Sequence, residues 1–342
     1  MARIHSLITA HGDFETPLFF PVNDFGDHGH GSGPKYITEI PDLRSMLVNV
    51  HLLRQSGMVD QLSLRGLHDF FGVNGVFMVD SGGFQAHTDL PRLKHNEILH
   101  FQEAIGADIA IPLDTPVFPV DSIAGQQHMV SMQVTIRNAL WALENREREE
   151  MLVYAPLHGN SSQVMVNMLD YLQRKGDFDG FAIGGLVPKR SDLFAMVDLI
   201  VAVRRRLKEK PLHVLGIGGP ALIPLLVYLG VDTFDSSSYI RAGANRVYFL
   251  PDHGSVSLLD LDLADRLPCV CPVCSVYAAE TIRAERRLIG LHNLWMIAYE
   301  LRKLKLHIRQ HDLETYLDHR FARNPVMQDV FRYAKSKMRG LV

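Results

Sequence analysis

The chain holds three cysteines, Cys269, Cys271 and Cys274, all within six residues, in the C-x-C-x2-C array of PCVCPVC. His292 follows eighteen residues after the last of them, in LHNLW. Three thiolates and one imidazole match the preference of zinc for four soft or borderline ligands. With every corner of the tetrahedron supplied by protein, no place is left for water, which marks the expected Zn2+ as structural rather than catalytic. On spacing alone, His307 competes with His292 for the fourth place. The plainer alternative is a turn of reduced cysteines, and so few cysteines so close together do not make a disulfide framework.

Carboxylates form a second constellation. Asp80, Asp114 and Asp235 each follow a short apolar run. Any one of them reads as the N-cap of a following helix, since Asp accepts readily from the free N–H groups of a first turn. Three that converge on one mouth offer acid–base and nucleophilic chemistry instead.

What would bring them together is the pattern of the runs themselves. These are LFFPV (18–22), MLVNV (46–50), VFMV (76–79), IAIPL (109–113), MLVYAP (151–156), GFAIG (180–184), LHVLGI (212–217) and DTFD (232–235). Stretches with helical spacing separate them, such as 191–207 and 220–230. Fully apolar short strands alternating with helices indicate parallel strands covered on both faces. Eight such units within residues 18–235 fit a (β/α)8 TIM barrel better than an open doubly wound sheet. In a barrel, functional groups gather where strands end and the following loops begin. Those positions are Asn23 and Asp24, Asp80, Asp114, His158, Gly184 with Gly185, Gly216 to Gly218, and Asp235 with Ser236. The segment from Asp24 to Tyr36 is rich in Gly and His. His28 and His30 there offer metal ligands, but a loop beside an active site explains the composition better.

At 342 residues the chain suits one barrel with a small appendage, divided as 1–260 for the barrel and 261–342 for the zinc subdomain and basic C-terminal helices. A hydrophobic content of 47% against 21% charged residues supports a large core. No apolar run is long enough to span a bilayer, and the amino end lacks the apolar stretch of a signal peptide. A cytoplasmic protein without a membrane partner is therefore expected. The net charge of −3 says little, but its distribution is uneven. Residues 301–342 hold ten Lys or Arg against four acids, a net +6, which leaves −9 for residues 1–300. Such asymmetry permits phosphate binding by the carboxyl end, although a solvated helical face is the plainer reading.

The motifs VDSGGFQ (79–85), IPLDTP (111–116), AIGGLVP (182–188), LGIGGP (215–220) and TFDSSSY (233–239), with PCVCPVC and LHNLW, resemble the tRNA-guanine transglycosylases in wording, order and spacing. The resemblance runs from about Ala2 to the end of the chain, and the wording is closer to the archaeal type, which inserts a cyano-deazaguanine, than to the bacterial queuosine type. It implies a barrel carrying a zinc subdomain, a homodimer, and the exchange of guanine in a polynucleotide, tRNA first, for a free 7-deazaguanine such as preQ0.

By this resemblance Asp235 is the nucleophile, and a carboxylate suits attack at a sugar carbon with oxocarbenium character. Asp80 maps to the group that protonates the leaving guanine and deprotonates the incoming base. Asp114 maps to the reader of the N1–H and N2–H2 edge, and Phe84 to a ring that stacks on an extruded base. Backbone N–H groups around Gly184, Gly185 and Leu186 map to donors for the base carbonyl, with Gly216 in the same pocket. Two features depart from the family. His158, in PLHGN, stands where Gln is usual, and an imidazole changes charge near neutral pH. Archaeal relatives continue into RNA-binding modules, whereas this chain stops at Val342, an ending that DNA-acting deazaguanine transferases would share. Two other readings are a non-catalytic partner subunit, which keeps the metal and loses the nucleophile, and a zinc hydrolase or deaminase. The first is at odds with the presence of all three aspartates, and the second needs an open metal position beside a carboxylate base.

Overall fold

The computed structural model describes residues 2–23, 39–83, 94–115, 124–187, 192–251, 254–260 and 267–339. An antiparallel hairpin, β1 (Ser6–Thr9) and β2 (Gly12–Glu15), precedes eight strands. These are β3 (Leu18–Asn23), β4 (Ser45–Asn49), β5 (Val76–Asp80), β6 (Ile109–Ile111), β7 (Leu152–Leu157), β8 (Gly180–Ile183), β9 (Leu212–Val214) and β10 (Thr233–Ser236). Each coincides with one of the eight apolar runs. All pair in parallel, β10 closes onto β3, and the product is a closed barrel; among the described residues, helices fill each connection from β4 to β10.

Because side chains alternate across a strand, the identity of inward residues decides what reaches the barrel mouth. Phe20, Leu47, Val76, Met78, Ile109, Ile111, Tyr154 and Ala182 fill the lumen, and Leu7 and Phe14 of the hairpin join them. Their strand neighbours Phe19, Val153, Phe181, Leu212, Val214 and Phe234 pack outward into the main core. The parity then carries upward. Asp80 follows Val76 and Met78 on the lumen side, His158 follows Tyr154, Gly184 follows Ala182, and Asp235 shares the side opposite Phe234.

Beyond the barrel, a second hairpin, β11 (Val247–Leu250) with β12 (Gly254–Ser257), leads to the cysteines and, among the described residues, five C-terminal helices, the longest being Arg286–Arg309. That helix crosses Ser238–Ala244, the helix directly after Asp235, at a glycine contact. A Cβ on Gly243 would lie 2.9 Å from the backbone N of Gly290. Many of the basic C-terminal residues spend their charge on acids elsewhere in the chain. Arg302 pairs with Asp42, Arg309 with Glu15 and Lys337 with Asp198. The charge asymmetry thus helps to dock the C-terminal helices onto the acidic barrel, each exposed pair contributing up to about 1 kcal/mol. No helix of the described residues is long and apolar enough to cross a membrane.

Candidate active site and metal centre

At the carboxyl ends of the strands lies a cavity of about 500 Å³ whose lining includes Asp80, Asp114, His158, Gly184, Gly216 and Asp235. Each carboxylate there is held in its own way. Asp80 Oδ2 accepts from Asn49 Nδ2 at 2.6 Å and from the N–H of Gly82 at 3.2 Å. Asn49 ends β4 and caps the next helix, its Oδ1 accepting from the N–H groups of His51 and Leu52. The cap fixes which end of the amide faces outward, so the NH2 group is the end presented to Asp80.

Asp114 Oδ1 accepts from Ser81 Oγ at 3.2 Å, and its Oδ2 lies 2.7 Å from His158 Nε2. The glycines of VDSGG let this approach occur, since a Cβ on Gly83 would collide with Asp114 itself. A Cβ on Gly184 would likewise collide with the His158 ring, so glycine there admits the imidazole. His158 is buried, and its Nδ1 has no partner among the described residues.

Asp235 Oδ1 accepts from the N–H of Gly216 at 2.8 Å and lies 3.1 Å from His213 Nε2. Gly216 reaches this position with φ +73°, a conformation that favours glycine. None of the three carboxylates meets a Lys or Arg among the described residues. Burial pushes the Asp80 carboxyl up to about 8, and the neighbouring charges of Asp114 and Asp235 push the same way. The hydrogen bonds from Gly82 and Asn49 oppose them. A carboxyl poised near neutrality can both give and take a proton.

Away from the mouth, Cys269, Cys271, Cys274 and His292 place their ligand atoms within 4.8 Å of one another. His292 Nδ1 lies 3.3 Å from Cys271 Sγ and 3.4 Å from Cys274 Sγ, close to the ligand edge of a zinc tetrahedron. Its other nitrogen, Nε2, donates to Phe249 O at 2.8 Å, which leaves Nδ1 free to bind a metal. The Tyr248 ring stacks on His292 at 3.7 Å, and its hydroxyl lies 3.1 Å from Cys274 Sγ. The residues present therefore fit one tetrahedral Zn2+ with four protein ligands. His307 takes no part, because its Nδ1 binds Asp312 at 2.8 Å and its ring stacks on Tyr316.

A family model described as queuine tRNA-ribosyltransferase matches residues 1–326. The chain belongs to this family. Among curated relatives it is 33% identical to the tRNA-guanine(15) transglycosylase of Haloferax volcanii over 84% of this chain and 56% of that protein. It is 31% identical to the protein of the same description from Aeropyrum pernix, over 99% of this chain and 67% of that one. For Korarchaeum cryptofilum the figures are 31%, 90% and 52%. The chain thus spans roughly half to two thirds of the length of these relatives.

Of the sequence-derived site residues, Asp80, Asp114, His158, Gly184, Gly185, Gly216 and Asp235 line the one cavity. The Leu186 side chain is buried in the core instead. Asp24, His28, His30 and Phe84 lie outside the described residues. Sequence reasoning passed over Asn49, Ser81 and His213, each hydrogen-bonded to a site carboxylate. Asn49 carried a signal, a cap residue closing an apolar run beside the Asp80 strand; a lone His inside LHVLGI carried none.

A second group, His11, His68 and Asp108, sits at the opposite end of the barrel. His11 Nδ1 and His68 Nε2 both face the Asp108 carboxylate, at 2.6 and 3.1 Å, and the two rings stack at 3.4 Å. His68 Nε2 also lies 3.1 Å from Gly75 O, and the three ligand atoms fall within 4.8 Å of one another, a spacing that could hold a metal ion.

Proposed function

We propose that the chain is the catalytic barrel of a guanine transglycosylase that replaces a guanine of tRNA with a free 7-deazaguanine base such as preQ0. The observation that carries this reading is the Asp80 carboxyl, raised to about 8, on the same cavity as Asp235, a carboxylate pinned through one oxygen. Double displacement with retained configuration asks for such a pair, one acid–base and one nucleophile.

In this reading Asp235 attacks C1′ of the target nucleotide while protonated Asp80 delivers its proton to the departing guanine. The sugar is then held as an ester of Asp235. Asp80, now a carboxylate, takes a proton from the incoming base, whose nitrogen attacks C1′ and returns the bonding pair to Asp235. Asp114 reads the donor edge of either base, supported by Ser81 and by His158 in place of the family Gln. Backbone N–H groups at Gly184, Gly185 and Leu186 serve the base carbonyl, Gly216 shapes the pocket wall, and Phe84 supplies the stacking ring. The target nucleotide leaves its stack to enter.

Cys269, Cys271, Cys274 and His292 would hold a Zn2+, which when bound supplies a structural crosslink. Residues 1–260 form the catalytic unit and 261–342 its metal-braced buttress. Homodimerisation accompanies this reading, supported by the exposed apolar surface around Pro251, Val270, Pro272, Trp295 and Tyr299 beside the metal cluster. The description of the relatives supports tRNA as the polynucleotide. The test is incorporation of labelled guanine into tRNA or duplex DNA by the purified protein, followed by displacement with preQ0. Label in tRNA is expected. Label in DNA alone would move the chain to the DNA-acting branch, and label in neither would sink the exchange reading.

A further inference from the structure

The lumen side of β9 carries one residue, His213, because its neighbours Leu212 and Val214 face outward into the core. Parallel register sets His213 beside Thr233 of β10, and Asp235 lies two residues farther along the same face. The side chain is fully buried, with Phe20 edge-on at 6.0 Å. Both ring nitrogens are engaged, Nδ1 with Thr233 Oγ1 at 2.8 Å and Nε2 with Asp235 Oδ1 at 3.1 Å.

A nucleophilic carboxylate only accepts hydrogen bonds, so the nitrogen facing it must carry the proton. That assigns Nε2–H to the Asp235 side and leaves Nδ1 to accept the Thr233 hydroxyl hydrogen. Asp235 Oδ1 then receives two donors, His213 Nε2–H and Gly216 N–H, while the described residues offer none to Oδ2. Rotation that exchanged its two oxygens would break both hydrogen bonds.

We infer that His213, itself oriented by Thr233, is the positioning residue of the nucleophile: together with the N–H of Gly216 it fixes Asp235 so that Oδ2 alone is the oxygen that bonds the sugar. The inference rests on the base-exchange reading. As the C1′–Oδ2 bond forms, the bond from C1′ to the guanine nitrogen breaks, and its electron pair leaves with guanine, which takes the Asp80 proton. Oδ1 becomes the carbonyl oxygen of the ester and keeps both donors. When the incoming base attacks C1′, the C1′–Oδ2 pair returns to the carboxylate and the original arrangement is restored. His213 gains and loses no proton in either half and touches no substrate atom.

Two measurements test this. In the exchange assay, His213→Leu should lower kcat about 10²-fold, the scale of one lost preorganised donor, with KM for the free base within about 3-fold. His213→Gln, which keeps an N–H near the Nε2 position, should recover kcat to within about tenfold of wild type. The rate at which the covalent adduct forms on Asp235 should follow the same order. A folded His213→Leu protein with wild-type kcat, or Leu and Gln variants equally impaired, would overturn the inference. The second measurement needs no variant activity. Nitrogen-15 NMR of the wild-type protein, with His213 assigned by its loss in His213→Gln, should show a proton on Nε2. Protonation on Nδ1 alone would overturn the inference whatever the assay gives. A wild-type protein that exchanges no base would instead bring down the parent reading, with the tautomer still judging the geometry.

Discussion

The two ends of the barrel surround their carboxylates differently, most plainly at Asp232 and at Asp80. At the amino ends of the strands, Asp232 binds Arg204 at 2.9 Å and the N–H of Leu212, and Asp108 takes two imidazoles and the N–H of Phe77. At the carboxyl ends, Asp80, Asp114 and Asp235 face one another across a cavity with amides, a hydroxyl and imidazoles as their donors. A buried carboxylate beside a cation is settled, and losing the cation's partner mainly costs stability. A buried carboxyl beside other carboxylates keeps a proton that it can surrender. In the proposed reading the same residue type is structural at one pole and reactive at the other, and the difference lies in the neighbours.

The sharpest way to break this contrast is to delete one acid at each pole. Asp235→Ala should abolish base exchange, by at least about 10⁴-fold, and leave the thermal midpoint nearly unchanged, as read by an incorporation assay and calorimetry. Survival of exchange would show that the nucleophile lies elsewhere. Asp80→Asn should follow at about 10²- to 10⁴-fold in kcat, the range of general acid–base catalysis. At the other pole, Asp232→Ala should cost about 3–5 kcal/mol of stability in urea melts by stranding Arg204, while the folded fraction keeps its kcat. A change in kcat without a change in stability would erase the distinction between the poles.

A pH titration sharpens it further. Folded Asp80 holds its proton up to about 8, whereas an exposed Asp releases it near 3.8. Across that window the folded state binds more protons, so the Asp80 contribution to stability falls as pH rises from about 4 to about 8 and levels off above. The difference between wild-type and Asp80→Asn unfolding curves should show this slope, and the rate of guanine departure should decline through about pH 8. A flat difference would mean that Asp80 is ionised throughout. The smallest effect is expected for Cys271→Ala on chemistry as opposed to folding. Zinc content and thermal midpoint should both fall, while kcat per folded molecule stays within about threefold; a much larger loss of kcat would give the metal centre a direct part in the reaction.

The barrel was legible because its strands are short, fully apolar and covered on both faces, and the eight runs needed no long-range information to be found. Asp80, Asp114, His158 and Asp235 followed from the same pattern, since strand ends are where a barrel exposes side chains. His213 was hidden because it sits inside an apolar run, and only the lateral register of β9 on β10 brings it to Asp235. The choice of His292 over His307 also needed three dimensions, with a neighbouring Asp312 claiming the latter. Charge at the carboxyl end was visible, but its destination was not, since Glu15 and Arg309 stand nearly a chain length apart.

Helix caps are usually interchangeable, with Ser, Thr, Asp and Asn all serving. At residue 49 that freedom is gone. The position must accept from the helix start and donate to Asp80 at once, and among the usual cap residues Asn offers an amide that does both with separate atoms. An aspartate there would begin the helix equally well and set another negative charge against the acid. The start of one short helix and the proton affinity of the barrel mouth are therefore one constraint, written in a single side chain.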